Sequence, residues 1–152
     1  MIIENGKIFS INVSKHKGMS KVPVESGCLV EDLGLDGDGH AQKGIRQVSL
    51  LAIESISKQN NCPKVKNNGE LLKPGDFAEN ITTQGIELTN LKIGDRFKIG
   101  KNSVIEISKI GKECHKLCAV YYKTGDCIMP REGIFAKVVK GGIINKGDKI
   151  TV

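Results

Sequence analysis

Apolar and polar residues alternate along several short stretches of the chain, a period of two that is typical of strands with one buried face. Such patterns, or short apolar runs, cover residues 7–14, 22–30, 47–52, 74–83, 91–99, 104–110, 133–140 and 143–152. Only residues 53–59 suggest a helix, and glycine turns separate many of the strands. At least seven short strands with little helix predict an all-β or β-rich fold. We therefore expect a closed or partly closed β-barrel with few short helices.

Length and composition are those of an ordinary globular domain. The chain has 152 residues, of which 39% are hydrophobic and 26% charged. No internal repeat, low-complexity tract or linker divides it, so residues 1–152 are predicted to form a single domain. Because the sequence has no Trp and few other aromatic residues, the core is expected to be mostly aliphatic.

The net charge of +6 favours anionic partners in general. The lysines are scattered, however, and few aromatic residues lie between them, which argues against nucleic-acid binding. The N-terminus lacks the pattern of a signal peptide, and no apolar run approaches the roughly 18 residues of a transmembrane helix. With an odd count of five cysteines, we expect reduced thiols, a cytoplasmic location and no membrane partner.

A glycine-rich stretch, GLDGDGHAQKGIR, occupies residues 34–46. Such a loop can bring backbone N–H groups close to a ligand, and Lys43 and Arg46 are suited to pair with a phosphate. It is not a Walker A loop, because no G-x-x-x-x-G-K-[ST] is present. Asp36 and Asp38 suggest calcium, but the later ligands of an EF-hand loop are missing. A plain turn remains the alternative.

Two further stretches carry polar or sulfur-containing side chains. Cys28, between a glycine and a leucine, is expected to be a small packing residue rather than a reactive one. The stretch 74–83 looks like a turn that leads into a strand. Its polar side chains, which could line a site, are Glu79, Asn80, Thr82 and Thr83.

The densest cluster of reactive side chains lies in residues 110–131, IGKECHKLCAVYYKTGDCIMPR. It contains three cysteines, one histidine and several cations, namely Cys114, Cys118, Cys127, His115, Lys112, Lys116, Lys123 and Arg131. Cationic neighbours favour the thiolate form of cysteine, which attacks electrophiles or binds soft metals. We therefore expect the chemistry of the chain in this segment.

Several interpretations of this segment remain open from the residues alone. A structural zinc site would use Cys114, His115, Cys118 and Cys127, although their spacing is not that of the usual zinc pairs. A redox disulfide would join Cys114 and Cys118. If the segment holds a single reactive thiolate, Cys114 is the favoured residue, because Lys112 and His115 flank it and a predicted strand ends just before it. All three cysteines could also simply be buried.

Three blocks of the sequence together resemble the MOSC domain, a module found at the C-terminus of molybdenum cofactor sulfurases and in stand-alone bacterial proteins. They are GLDGDGHAQKGIRQVSLL (34–51), PGDFAENITTQGIELTNLKIGDRFKIG (74–100) and IGKECHKLCAVYYKTGDCIMPREGIFAKVV (110–139). The F-x-E-N-[IL]-T-T and I-G-D-R-F elements of the middle block carry most of the resemblance. The family's fold is a β-rich barrel.

The resemblance implies a molybdenum–molybdopterin cofactor or sulfur chemistry associated with it. Cys114 matches the family's cysteine, which would ligate molybdenum or carry sulfur as a persulfide. The candidates for holding the pterin's phosphate are Lys43, Arg46, Lys112 and Arg131. The candidates for hydrogen bonds to the pterin or a substrate are His40, Asn80 and Thr82. The additional Cys118 and Cys127 leave open which sulfur does the work.

Three functions follow from the resemblance as expectations. The chain could carry sulfur delivered by a partner cysteine desulfurase, which would hold any pyridoxal phosphate because no aminotransferase-like half is present here. It could be a molybdenum-dependent reductase of N-hydroxylated compounds, with electrons from a separate donor protein. It could also bind or store the molybdopterin without catalysis.

Overall fold

A computed structural model describes residues 5–15, 21–39, 41–61, 71–110 and 133–152. These residues form eleven strands, one α-helix and one short 3-10 helix. The strands are β1 Asn5–Val13, β2 Val22–Val24, β3 Ser26–Val30, β4 Gly34–Leu35, β5 Val48–Ala52, β6 Ile81–Gln84, β7 Arg96–Ile99, β8 Ser103–Ile110, β9 Ile134–Lys140, β10 Gly142–Asn145 and β11 Lys149–Thr151. The helices are α1 Ile53–Asn60 and the 3-10 helix Leu88–Asn90.

The main sheet closes on itself as a seven-stranded barrel. Its strand order is β11-β7-β8-β9-β5-β6-β1, and β11 pairs with β1 to complete the circle. β2 extends the sheet beside β1, while β10, β3 and β4 form a separate three-stranded sheet. The predicted fold class, a β-rich barrel with few short helices, is confirmed.

The barrel interior is filled by aliphatic side chains, as the composition predicts. Along β8, the buried Ile105 and Ile107 alternate with the partly exposed Val104 and Glu106, so one face of the strand points inward. Phe97 is the largest of the fully buried side chains and belongs to the same cluster. Full burial of such a side chain typically contributes about 1.5–3 kcal/mol to the free energy of unfolding.

Two predicted strands are each divided in the structure. The stretch 22–30 breaks at Glu25, so that β2 pairs with β1 while β3 pairs with β10 and β4. The stretch 143–152 is divided into β10 and β11 by a turn in which Gly147 has φ +91°. Both errors have one cause: alternation of residue types marks extended chain but does not tell which neighbour it pairs with.

The expectation that Cys28 is a packing residue is wrong. Cys28 is an exposed free cysteine that pairs across the small sheet with Ile143, which is itself 72% exposed. In that sheet, Leu29 and Ile144 face the core instead. The apolar neighbours of Cys28 in the sequence therefore gave no information about which face it occupies.

One end of the barrel is the end to which the cysteine-containing residues 111–132 are attached. Here β5, β6 and β8 end, while β1, β7 and β9 begin. We call it the α1 end, because α1 follows β5 directly at this point. Among the described residues, no helix is long and apolar enough to cross a lipid bilayer.

Candidate functional site

The structure describes four of the residues that the family resemblance predicts to contact the cofactor. They are Lys43 and Arg46 in the glycine-rich loop, and Asn80 and Thr82 before and within β6. The other predicted site residues, Cys114, His40, Lys112 and Arg131, lie outside the described residues, as do His115, Cys118 and Cys127.

The cysteine-containing segment is attached to two neighbouring strands at the α1 end. Ile110, the last residue of β8, pairs with Ile134, the first residue of β9, and Ile134 also pairs with Leu50 of β5. Residues 111–132 therefore leave and rejoin the barrel between adjacent strands. The prediction that a strand ends shortly before Cys114 is confirmed by the end of β8 at Ile110.

The loop with Lys43 and Arg46 folds onto the outside of these same two strands. The guanidinium carbon of Arg46 lies 5.8 Å from the centre of the Phe135 ring in β9, within the range of a cation–π contact. The hydroxyl of Ser108 in β8 donates a hydrogen bond to the carbonyl oxygen of Ile45. Lys43 and Arg46 are both exposed. The Arg46 guanidinium is thus held near the strand ends that bracket the cysteine segment.

Gln47 positions this loop, a role that the sequence did not reveal. Its side chain is fully buried, and its Nε2 donates hydrogen bonds to the carbonyl oxygen of Gly44 (2.9 Å) and to the Asp32 carboxylate (3.0 Å). Its Oε1 accepts a hydrogen bond from the backbone N–H of Val138 in β9 (2.9 Å). One amide therefore ties the loop to β9 and to the turn after β3.

Asn80 lies in a buried polar network on the outer face of the barrel. It is 1% exposed, and its Oδ1 accepts hydrogen bonds from the backbone N–H (3.1 Å) and hydroxyl (3.2 Å) of Ser49 in β5. Its Nδ2 donates to the carbonyl oxygen of Asn12 in β1 at 3.4 Å. Asn80 thereby links two strands, and its contact with a cofactor stays a prediction.

Glu79 and Thr82 form the second half of this network. The Thr82 hydroxyl donates to Oε2 of Glu79 (2.7 Å) and accepts from Nδ2 of Asn12 (3.0 Å). The backbone N–H of Gly75 donates to Oε1 of Glu79 (3.1 Å). Burial raises the pKa of the Glu79 carboxyl, and these hydrogen bonds only partly offset that effect. The network fastens the turn before β6 to the sheet; a contact between Thr82 and a cofactor stays a prediction.

A buried ion pair contacts the same network through Asn80. Nζ of Lys21 lies 2.7 Å from Oδ1 of Asp38, and both side chains are completely buried. Burial alone would raise the pKa of Asp38, but the hydrogen bonds from Lys21, from the backbone of Ser14 and from Asn80, together with the Lys21 charge, lower it. Asp38 is therefore paired with Lys21 in the folded chain.

Within the part of the chain that the structure describes, no group of three or more His, Cys, Asp or Glu side chains is placed to hold a metal ion. Neither the zinc nor the disulfide interpretation is tested, since the residues of both lie outside the described ranges.

Comparison with known proteins identifies the family. The model of the MOSC domain family matches residues 37–151. Protein YiiM of Escherichia coli (strain K12) is 26% identical over 118 residues, covering 76% of this chain and 52% of the relative. The chain thus spans about half the length of this curated relative.

Solved structures show the same fold. The YUAD protein from Bacillus subtilis superimposes with a TM-score of 0.76 at 17% identity, covering 99% of this chain and 96% of that one. YiiM from Geobacillus stearothermophilus gives a TM-score of 0.67 at 20% identity, covering 97% of this chain and 75% of that one. Because the family model spans most of the sequence, including the three resembling blocks almost entirely, this chain belongs to the MOSC domain family.

Proposed function

We propose that this MOSC-domain chain binds the molybdenum–molybdopterin cofactor, or carries sulfur for it, through the thiolate of Cys114. The observation that carries the proposal is the family match over residues 37–151, which includes Cys114 and the strands on either side of it. A thiolate is a suitable soft ligand for molybdenum and a suitable carrier of a persulfide sulfur.

The described residues fit an anionic cofactor at this position. Arg46 and Lys43 are exposed, and Arg46 stacks on Phe135, next to the strand ends between which the cysteine segment runs. A guanidinium and an ammonium are appropriate partners for a pterin phosphate. Lys112 and Arg131, in the segment itself, would add two further cations.

Because Asn80 and Thr82 are buried, they have a structural role in this proposal. Their polar atoms already bond to Ser49, Asn12 and Glu79, so they hold β1, β5 and β6 together. Bound cofactor would supply the redox-active metal centre. The chain's own residues would hold the phosphate, place the thiolate and keep the strands in register.

Separate proteins would complete either activity. A carrier needs a cysteine desulfurase to deliver sulfur to Cys114, and a redox centre needs an electron donor. Native mass spectrometry of protein purified from a cofactor-producing host tests the proposal. We expect the mass of the cofactor, or a sulfur adduct on Cys114 without metal; the first outcome supports ligation and the second the carrier.

Two variants make this test specific. Cys114→Ser should lose the bound metal or sulfur, whereas Cys28→Ser, which removes an exposed thiol on the small sheet, should keep it. If Cys114→Ala retains cofactor while Lys43→Ala or Arg46→Ala loses it, the chain is a binding module in which sulfur plays no part. Wild-type protein without cofactor and without adduct would count against all three forms of the proposal.

A further inference from the structure

A half-open pocket lies between α1 and the connection that follows β6. Its volume is about 400 Å³, enough for a small organic molecule. The residues that line it are Ala52, Glu54, Ser55, Lys58, Gly85, Ile86, Glu87, Leu88 and Thr89. We infer that this pocket is a binding site for a small amine that carries a short apolar chain.

The floor of the pocket is apolar. Ala52, Ile86 and Leu88 are 7%, 3% and 2% exposed, so they belong to the hydrophobic core and present only a small surface to the pocket. A ligand with an alkyl chain can cover this surface and remove it from water. A purely polar ligand would gain nothing from it.

Two carboxylates at the rim supply the polar part of the site. Oε2 of Glu54 accepts a hydrogen bond from the backbone N–H of Gly85 (3.2 Å), and Oε2 of Glu87 accepts one from Nδ2 of Asn90 (3.1 Å). Each carboxylate is thereby oriented, while its second oxygen accepts no hydrogen bond from the rest of the described chain. An ionised carboxylate can only accept, so the matching ligand group is a cationic N–H donor.

The hydrogen bond between Glu54 and Gly85 also makes the pocket preformed. It joins the first turn of α1 to the connection after β6, and the buried Ile56 anchors the helix against the barrel. Lys58 and Ser55 line the same pocket but have interactions of their own, so the inference does not depend on them. Two carboxylates and one ammonium group line the pocket, so the pocket carries more negative than positive side chains although the whole chain is positively charged.

The residues that line the pocket follow the ends of β5 and β6, so the pocket lies at the α1 end, where residues 111–132 join the barrel. If the proposed function holds, an amine bound there would lie at the same end of the barrel as the strand ends between which the sequence of Cys114 is attached. Amine binding itself needs neither molybdenum nor Cys114. It can therefore be tested on cofactor-free protein, and its failure would leave the proposed function untouched.

The test is a titration of the cofactor-free chain with the series n-propylamine to n-hexylamine, followed by ¹H–¹⁵N NMR. We expect saturable shifts at the amides of Gly85, Ile86 and Leu88. Affinity should rise about fourfold per added methylene until the floor is covered, as burial of a CH₂ predicts. Pentanoate, which has the same chain and the opposite charge, should not bind, and 1-pentanol should bind at least about tenfold more weakly than n-pentylamine.

Variants locate the binding. Glu54→Gln and Glu87→Gln each keep an acceptor for the neighbouring N–H and so preserve the pocket, but each should weaken n-pentylamine binding by about two- to fivefold, as loss of an exposed ion pair predicts. Glu31→Gln, an exposed carboxylate outside the pocket, should leave it unchanged. Equal binding of pentanoate, an equal loss in Glu31→Gln, or the absence of saturable shifts would each overturn the inference.

Discussion

Replacing Asn80 by alanine tests whether the buried polar network holds the barrel in the form described. The change removes the acceptor of the Ser49 backbone N–H, the donor to the Asn12 carbonyl oxygen and the hydrogen bond to the Asp38 carboxylate. Ser49 is 6% and Asn12 0% exposed, so water cannot readily replace the lost partner. The Ser49 hydroxyl keeps an alternative acceptor in the carbonyl oxygen of Ala78 (3.3 Å).

The expected loss of stability follows from these contacts. A buried N–H left without an acceptor costs about 1–3 kcal/mol, and a weaker hydrogen bond such as the 3.4 Å contact to Asn12 adds about 0.5–1 kcal/mol. We therefore expect Asn80→Ala to lower the free energy of unfolding by about 3 kcal/mol. That is a large fraction of the roughly 5–15 kcal/mol of a typical domain.

Urea unfolding followed by far-UV circular dichroism measures this loss, since the chain has no Trp for fluorescence. Asn90→Ala is the matched control, because Asn90 is exposed and makes one hydrogen bond to Glu87; it should cost no more than about 0.5 kcal/mol. Asn80→Asp adds a second carboxyl group beside Asp38, so its cost should fall as the pH is lowered. A loss below about 1 kcal/mol in Asn80→Ala, or one equal to the control, would refute the reasoning.

Three further outcomes are expected. Burial raises the pKa of the Glu79 carboxyl above its ordinary value of 4.5, so the stability contributed by its protonated form is complete below the unfolded pKa and is lost as pH rises through the folded pKa. The free energy of unfolding should therefore fall between acid and neutral pH, and Glu79→Gln should reduce this fall in denaturant titrations at several pH values. Gly75→Ala should destabilise by several kcal/mol, since its Cβ would clash with the Lys21 carbonyl oxygen, whereas Gly94→Ala, with a similar positive φ and open space, should cost only about 1–2 kcal/mol in thermal melts. Gln47→Ala should cost about 2–3 kcal/mol and speed hydrogen exchange in residues 42–46; unchanged exchange there would contradict its anchoring role.

Sequence patterns predicted the barrel strands well where one face of a strand is buried and the other is not. Ile105 and Ile107 alternate with Val104 and Glu106, and β8 was predicted almost to its true ends. The helix after β5 was likewise predicted within one residue of its end at Asn60. Local alternation was sufficient because the barrel interior imposes the period of two directly.

Pairing and burial on the outer face could not be predicted in this way. Lys21 and Asp38 are separated by 17 positions, and only the folded chain brings them together as a buried ion pair. Glu79 was predicted to line an open site. A polar motif before a strand has the same sequence pattern whether other parts of the fold bury it or leave it exposed to solvent. The turn at Gly75 and strand β1 cover it, and these contacts are non-local.

The identity of the working sulfur depends on the segment between β8 and β9. The flanking Lys112 and His115 and the predicted strand end favoured Cys114 among the three cysteines there, and the family resemblance pointed to the same residue. The structure adds that this segment begins and ends on adjacent strands, beside the cation–π pair of Arg46 and Phe135.

Molybdenum content tests the central claim most directly. The chain, Cys28→Ser and Cys114→Ser would be purified from a host that makes the cofactor, and metal, pterin and cysteine-bound sulfur would be measured on the same samples. The account predicts stoichiometric molybdenum and pterin, or a persulfide on Cys114, in the first two proteins and neither in Cys114→Ser. Full molybdenum or persulfide content in Cys114→Ser, or none of these species in the wild-type chain, would contradict it.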